Sequence, residues 1–133
     1  KRRPPHKSQK QQIAAKYIDK CFFDHCGRQS KWHQEGYFDN KKGSVYLEIH
    51  HIIQLKHSHL FKNDIDIKEN MLPLCPNCHR KLHNAKDIIV KDLLKTIYSK
   101  IDKKKWIREG IYIDVNTLGS FYGIEADLEE TND

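Results

Sequence analysis

The sequence predicts an α+β fold, and three observations carry that prediction. Val45, Leu47 and Ile49 alternate with other residues up to His50 and His51, which reads as a strand, and Met71 to Leu74 is a short apolar run that reads as a second. Pro76 stands where it can open a helix to about Asn84, since the first helical position needs no N–H donor. From about Asp87 to Lys103, the residues Val90, Leu93, Leu94, Ile97 and Ile101 form one apolar stripe, so a second helix should pack on the core. At 133 residues the chain is long enough for one domain, burying roughly two-thirds of its unfolded surface. Only 38% of residues are hydrophobic and 32% are charged, so the core is thin and a metal would help to hold it.

Taken in order, Lys1 to Lys7 with Pro4 and Pro5 is a basic lead-in, and Ser8 can cap a short helix to Lys20 with Ile13, Ala14, Tyr17 and Ile18 on one face. Cys21 to Gly27 is a knuckle in which four residues separate Cys21 from Cys26. Lys31 to Gly43 holds Trp32, Tyr37 and Phe38 and then the turn signal D-N-K-K-G, consistent with a hairpin whose aromatics fill space beside the knuckle. Gln54 to Glu69 is a polar loop between the two strands, with His57 and His59 expected as exposed loop residues. Lys103 to Lys105 and Trp106 are placed to touch a phosphate backbone, Ile111 to Val115 suggest a late strand, and the chain after Gly123 should fray.

The chemistry concentrates in N-M-L-P-L-C-P-N-C-H-R-K-L-H, Asn70 to His83, together with E-I-H-H-I-I at Glu48 to Ile53. Cys75 and Cys78 have the C-x-x-C spacing of a zinc site, and His79 and His83 project from one face of a helix because they are four apart. A strand that delivers two histidines to a helix delivering two more outlines a catalytic metal centre. Strand alternation by itself points His50 and His51 to opposite faces, so both reach one site only if the strand end twists or bulges.

These residues resemble the HNH endonucleases, over roughly Lys20 to Ala85. That family has a ββα-metal motif: a strand ending in His-His or Asp-His, an Asn in the following loop and a helix with the last His. The resemblance implies that His50, His79 and His83 bind a catalytic divalent ion, that His51 is the general base, and that Asn70 holds the loop in shape. Arg80, beside the ligands, is placed either to clamp a phosphate oxygen with its fork or to be a solvated helix residue. Cys21, Cys26, Cys75 and Cys78 look like the structural zinc ligands of many HNH proteins. The catalytic ion is one of Mg²⁺, Mn²⁺, Zn²⁺, Ni²⁺ or Co²⁺, imidazoles favouring the borderline metals over Mg²⁺. The family hydrolyses DNA, a task that needs a water made nucleophilic, and a neutral histidine can serve because its ordinary pKa lies near ~6.5.

Charge agrees with a polyanionic partner. The net charge is +6, with residues 1–20 at +6 and residues 110–133 at −6. The arm could follow a phosphate backbone, while the acidic end stays away from it or covers the arm. C-x-x-C followed by His favours metal binding in a reducing, cytoplasmic compartment over disulfides, and no apolar run suits export or a membrane. The only methionine is Met71, so the chain is expected to be a piece of a larger protein, a restriction or defence enzyme whose other domains supply specificity; a homodimer is compatible with it. The expected organisation is a basic arm and helix over residues 1–19, the nuclease core over 20–86, and a helix with an acidic tail over 87–133. Two other readings compete. A zinc-ribbon DNA-binding module leaves four histidines without work, and a c-type haem attachment at Cys75 to His79 leaves Cys21, Cys26, His50, His51 and His83 unexplained.

Overall fold

In a computed structural model that describes residues 21–23, 41 and 46–129, the two expected strands pair with each other. Strand β1, Glu48–His51, runs antiparallel to β2, Met71–Leu74, in the register Glu48 to Leu74, Ile49 to Pro73, His50 to Leu72 and His51 to Met71. Among the described residues the sheet has two strands, so the missing N–H of Pro73 in β2 falls on an edge that no described strand pairs. The carbonyl of Pro73 still works, accepting the Phe22 amide at 2.8 Å and so fixing Cys21 beside the sheet. The helix expected at residues 8–20, the hairpin at 31–43, Cys26 and the last residues of the acidic tail lie outside the described residues.

Helix α1 spans Pro76–Asn84, with Pro76 in its first turn and the Cys75 sulfur accepting the Cys78 amide as the cap. Cys78 and Leu82, four apart, form its buried side. Helix α2, Asp87–Lys100, buries Val90, Leu93, Leu94 and Ile97 as the stripe requires. Leu94 and Ile97 are fully enclosed, a burial that stabilises by about 1.5–3 kcal/mol for each side chain. It stops three residues before the expected end, because Asp102 caps a new helix, α3, Lys103–Arg108, by accepting the Lys105 amide. That helix buries Trp106, whose indole N–H donates to the Glu69 carbonyl at 2.7 Å, so this aromatic anchors the loop before β2 instead of meeting a phosphate.

The late strand does not form. Ile111 to Asp114 pair with no strand among the described residues, and Asp114 caps helix α4, Val115–Ser120, by accepting the Thr117 amide at 2.7 Å. An aspartate three residues before a threonine is a helix start, and that local bond outweighs the β preference of the preceding residues. Nor does the chain fray after Gly123. Ile124 and Leu128 are each 2% exposed, and the Leu128 amide donates to Asn116 Oδ1 at 2.7 Å. Gly119 makes this closure possible: a Cβ there would sit 2.8 Å from the Leu128 side chain. The segment after residue 87 is therefore three helices and a packed end, and one buried apolar cluster includes both Phe23 and Leu128.

The polar loop between the strands is shaped by short turns at Leu55–Leu60 and Lys68–Asn70. Asn70 is fully buried and closes the loop from inside. Its Nδ2 donates to the carbonyls of Ile53 and Ile65, and its Oδ1 accepts the Ile53 amide. All three bonds are made away from water, where a lost partner would cost about 1–3 kcal/mol.

Candidate metal centre

The end of β1 and one face of α1 bring three imidazoles together. One ring nitrogen from each of His50, His79 and His83 lies within 4.8 Å of the other two. The His50 ring centre is 5.0 Å from that of His79 and 5.5 Å from that of His83. His50 is buried, His79 half-buried and His83 exposed, so the cluster opens toward solvent along α1.

Hydrogen bonds decide which nitrogens carry protons. Tyr122 Oη lies 2.6 Å from the Ile52 carbonyl and 2.7 Å from His50 Nε2. A carbonyl only accepts, so the phenol gives its one proton to Ile52 and accepts from His50 Nε2–H. Nδ1 is then the lone-pair nitrogen of His50. His79 Nδ1 lies 2.8 Å from Glu48 Oε1 and donates to it, leaving Nε2 as the lone pair of that ring. Burial, reinforced by the neighbouring His79, His83 and His51, lowers the pKa of His50 from 6.5 to about 3. His83 is lowered too, by burial first and by His79 and Lys56 after it. Neutral rings with open lone pairs are what a cation needs, since a protonated imidazole cannot bind one.

The donor set fits a borderline divalent metal: three imidazole nitrogens, two of them oriented by a second partner, and open access along α1. Three protein ligands leave room for water or substrate on the ion, which distinguishes such a site from a closed structural one.

His51 faces a different partner. Its Nε2 lies 2.9 Å from Oδ1 of Asp66, a carboxylate only 1% exposed, whose backbone amide is itself held by Asp64 Oδ1. The carboxylate accepts from Nε2–H, so the lone pair of His51 sits on Nδ1. The two histidines of the pair take different partners, yet both line one hollow with Gln54, Leu55, His79 and His83. Arg80 is exposed on α1 and does not line that hollow. His59 is exposed as expected, while His57 is half-buried and stacks on Phe121 with ring centres 4.4 Å apart.

A second cluster lies where β2 runs into α1. The sulfurs of Cys21, Cys75 and Cys78 are within 4.8 Å of one another, and all three residues are buried. Thiolates have no place in an apolar interior without a cation, and soft sulfur donors suit zinc, so these three could hold a zinc ion. Cys26, the fourth expected ligand, lies outside the described residues.

Three residues near the histidines escaped the sequence reading. Glu48 was within reach of it: strand alternation puts Glu48 on the face of His50, toward α1. Asp66 and Tyr122 carried no local signal, because they approach His51 and His50 from 15 and 72 residues away.

Comparison with known proteins places residues 24–85 in a match to the family described as HNH endonuclease. The chain is also similar to the type IV methyl-directed restriction enzyme EcoKMcrA of Escherichia coli (strain K12), 32% identical over 80 residues. That alignment covers 60% of this chain and 24% of the relative, so the shared part is a minor portion of the longer enzyme.

Proposed function

We propose that this chain, whose residues 24–85 belong to the HNH endonuclease family, is a metal-dependent nuclease domain that hydrolyses DNA phosphodiester bonds to 5′-phosphate and 3′-hydroxyl ends. The observation that carries the reading is the gathering of His50, His79 and His83 around one point, with His51 and its carboxylate on the same hollow. A divalent ion bound by the three imidazoles supplies charge neutralisation at the phosphoryl oxygens and support for the departing 3′ oxygen. The remaining work falls to the chain. Asp66 holds the Nε2–H of His51, so Nδ1 is free to take a proton from a water as that water attacks phosphorus. The bond from phosphorus to the 3′ oxygen breaks, the leaving oxygen is protonated from solvent, and His51 returns its proton to bulk water. Asn70 keeps Ile53 and Ile65 in place and thereby fixes the turn that follows His51.

The thiolate cluster, completed by Cys26, is assigned a structural zinc. Zinc there would tie the segment before β1 to the end of β2 and to α1, the helix that carries His79 and His83. Similarity to a much longer restriction enzyme supports a setting in a larger restriction or defence protein, in the cytoplasm, where other domains choose the sequence or modified base. No helix among the described residues is long and apolar enough to cross a membrane. The basic arm of residues 1–19 is assigned to backbone contacts, the core of 20–86 to cutting and the part from 87 onward to buttressing the site.

Two experiments test the assignment. Supercoiled plasmid incubated with the chain should be nicked when Mg²⁺, Mn²⁺, Ni²⁺, Co²⁺ or Zn²⁺ is added to protein whose exchangeable metal has been stripped, and should stay intact without one. DNA binding without cutting under every ion would favour the zinc-ribbon alternative. Asp66→Asn should lower kcat by about 10²-fold or more at unchanged metal affinity, because an amide can donate to Nε2 and trap the proton on Nδ1. Unchanged kcat would remove Asp66 from that role.

A further inference from the structure

The three-histidine site draws on a residue that lies outside the segment shared with the HNH family. Tyr122 is 37 positions beyond residue 85, where that match ends, in the turn after α4. Its hydroxyl bridges two groups of the nuclease core, the Ile52 carbonyl at 2.6 Å and His50 Nε2 at 2.7 Å. With a single proton to give and a carbonyl on one side, the hydroxyl has one consistent arrangement: it donates to Ile52 and accepts from His50 Nε2–H. An imidazole with Nε2 protonated binds a cation through Nδ1 alone.

The tyrosine is held where it stands by its own surroundings. The Phe121 carbonyl accepts from Gln54 Nε2 at 3.1 Å, and the Phe121 ring stacks on His57. On the other side, Gly119 lets Leu128 and Ile124 close against α4. The hydroxyl therefore meets a fixed target.

We propose that Tyr122 is a positioning residue of the metal centre: its hydroxyl fixes the His50 imidazole in the tautomer with Nδ1 open to the cation, so the segment from α4 to Leu128 belongs to the metal site. This rests on the assignment of His50, His79 and His83 as ligands. A ligand whose second nitrogen is fixed binds better, and such outer partners are commonly worth about 10–100-fold in metal affinity. Removing only the hydroxyl should cost that much.

The test uses the full chain with its thiolate site loaded with zinc. In the unsubstituted protein, ¹⁵N shifts of the His50 ring should report one tautomer, protonated at Nε2; protonation at Nδ1 overturns the proposal without any variant. Co²⁺ titrated into the remaining site, followed by calorimetry and visible absorption, should bind Tyr122→Phe about 10–100-fold more weakly than the parent. The ¹⁵N spectrum of the metal-free variant should then show His50 in mixed tautomers, a change that loss of packing alone would not produce. Equal Co²⁺ affinity in Tyr122→Phe overturns the role of Tyr122 and leaves the three-histidine site intact. If His79→Ala also binds Co²⁺ like the parent, the ligand assignment fails first, and the role of Tyr122 fails with it. Should Tyr122→Phe not fold, the tautomer of the unsubstituted protein decides alone.

Discussion

His51→Ala is expected to cut the rate of plasmid nicking by about 10²–10⁴-fold, the range a positioned general base supplies, while metal affinity, DNA affinity and melting temperature stay near those of the parent. Each part follows from where the ring lies. His51 is not one of the three clustered nitrogens, so removing it leaves the ligand set of His50, His79 and His83 whole. It is half-buried at the end of β1, and its backbone pairing with Met71 does not depend on the side chain. What disappears is a nitrogen held in one tautomer by Asp66 on the wall of the hollow. A large fall in kcat at unchanged Co²⁺ and DNA affinity would match a base. A fall in metal affinity would make His51 a ligand, and undiminished nicking would take it out of the reaction altogether.

Asp66 adds an energetic condition to this picture. Its Oδ1 meets His51 and its amide meets Asp64, while Oδ2 is buried with no hydrogen-bond partner among the described residues. Leaving a buried polar atom unmatched is costly, and the cost is tolerable where the group does something else. His51→Ala removes the partner of Oδ1 as well, so the small loss of stability expected in that variant should be relieved in the double variant His51→Ala, Asp66→Asn.

The parts of this molecule that could be read in the sequence are those whose signal is local. Proline at the first turn of α1, histidines four apart at 79 and 83, the stripe of α2 and the apolar run of β2 each follow from the spacing of neighbours, and each forms where expected. That strand and helix histidines meet was legible in outline from the residues, but the choice of His50 over His51 as the partner of the two α1 histidines came through resemblance, since alternation says which face His50 takes and not what lies across from it. Where local signals competed, the shorter-range bond won: Asp102 and Asp114 start new helices inside stretches that read as helix continuation and strand. Trp106 and the end of the chain were misread because their partners, the Glu69 carbonyl and the α4 face, are distant in sequence. Asp66 and Tyr122 belong to the same class. They serve the site through contacts that only the closed fold creates.

Cys75→Ser should prevent the domain from folding under conditions in which the parent is stable, and the choice of serine makes the result informative. Cys75 does two jobs: its sulfur caps α1 by accepting the Cys78 amide at 3.4 Å, and it stands within 4.8 Å of the sulfurs of Cys21 and Cys78. Serine is among the best residues for a helix cap, so the substitution keeps the first job. It removes a thiolate and with it most of the affinity for zinc. Structural zinc is worth about 10–16 kcal/mol of apparent folding free energy in small peptides, as much as or more than the ~5–15 kcal/mol that holds a typical domain together. With 38% hydrophobic residues the chain has little apolar burial to spare. Circular dichroism, a thermal melt and zinc content measured on both proteins check this. Loss of bound zinc together with loss of the cooperative melt is the expected outcome. A serine variant that melts like the parent and nicks plasmid would show that the cysteines merely fill space behind β2, and the histidines would then have to be held by the apolar core alone.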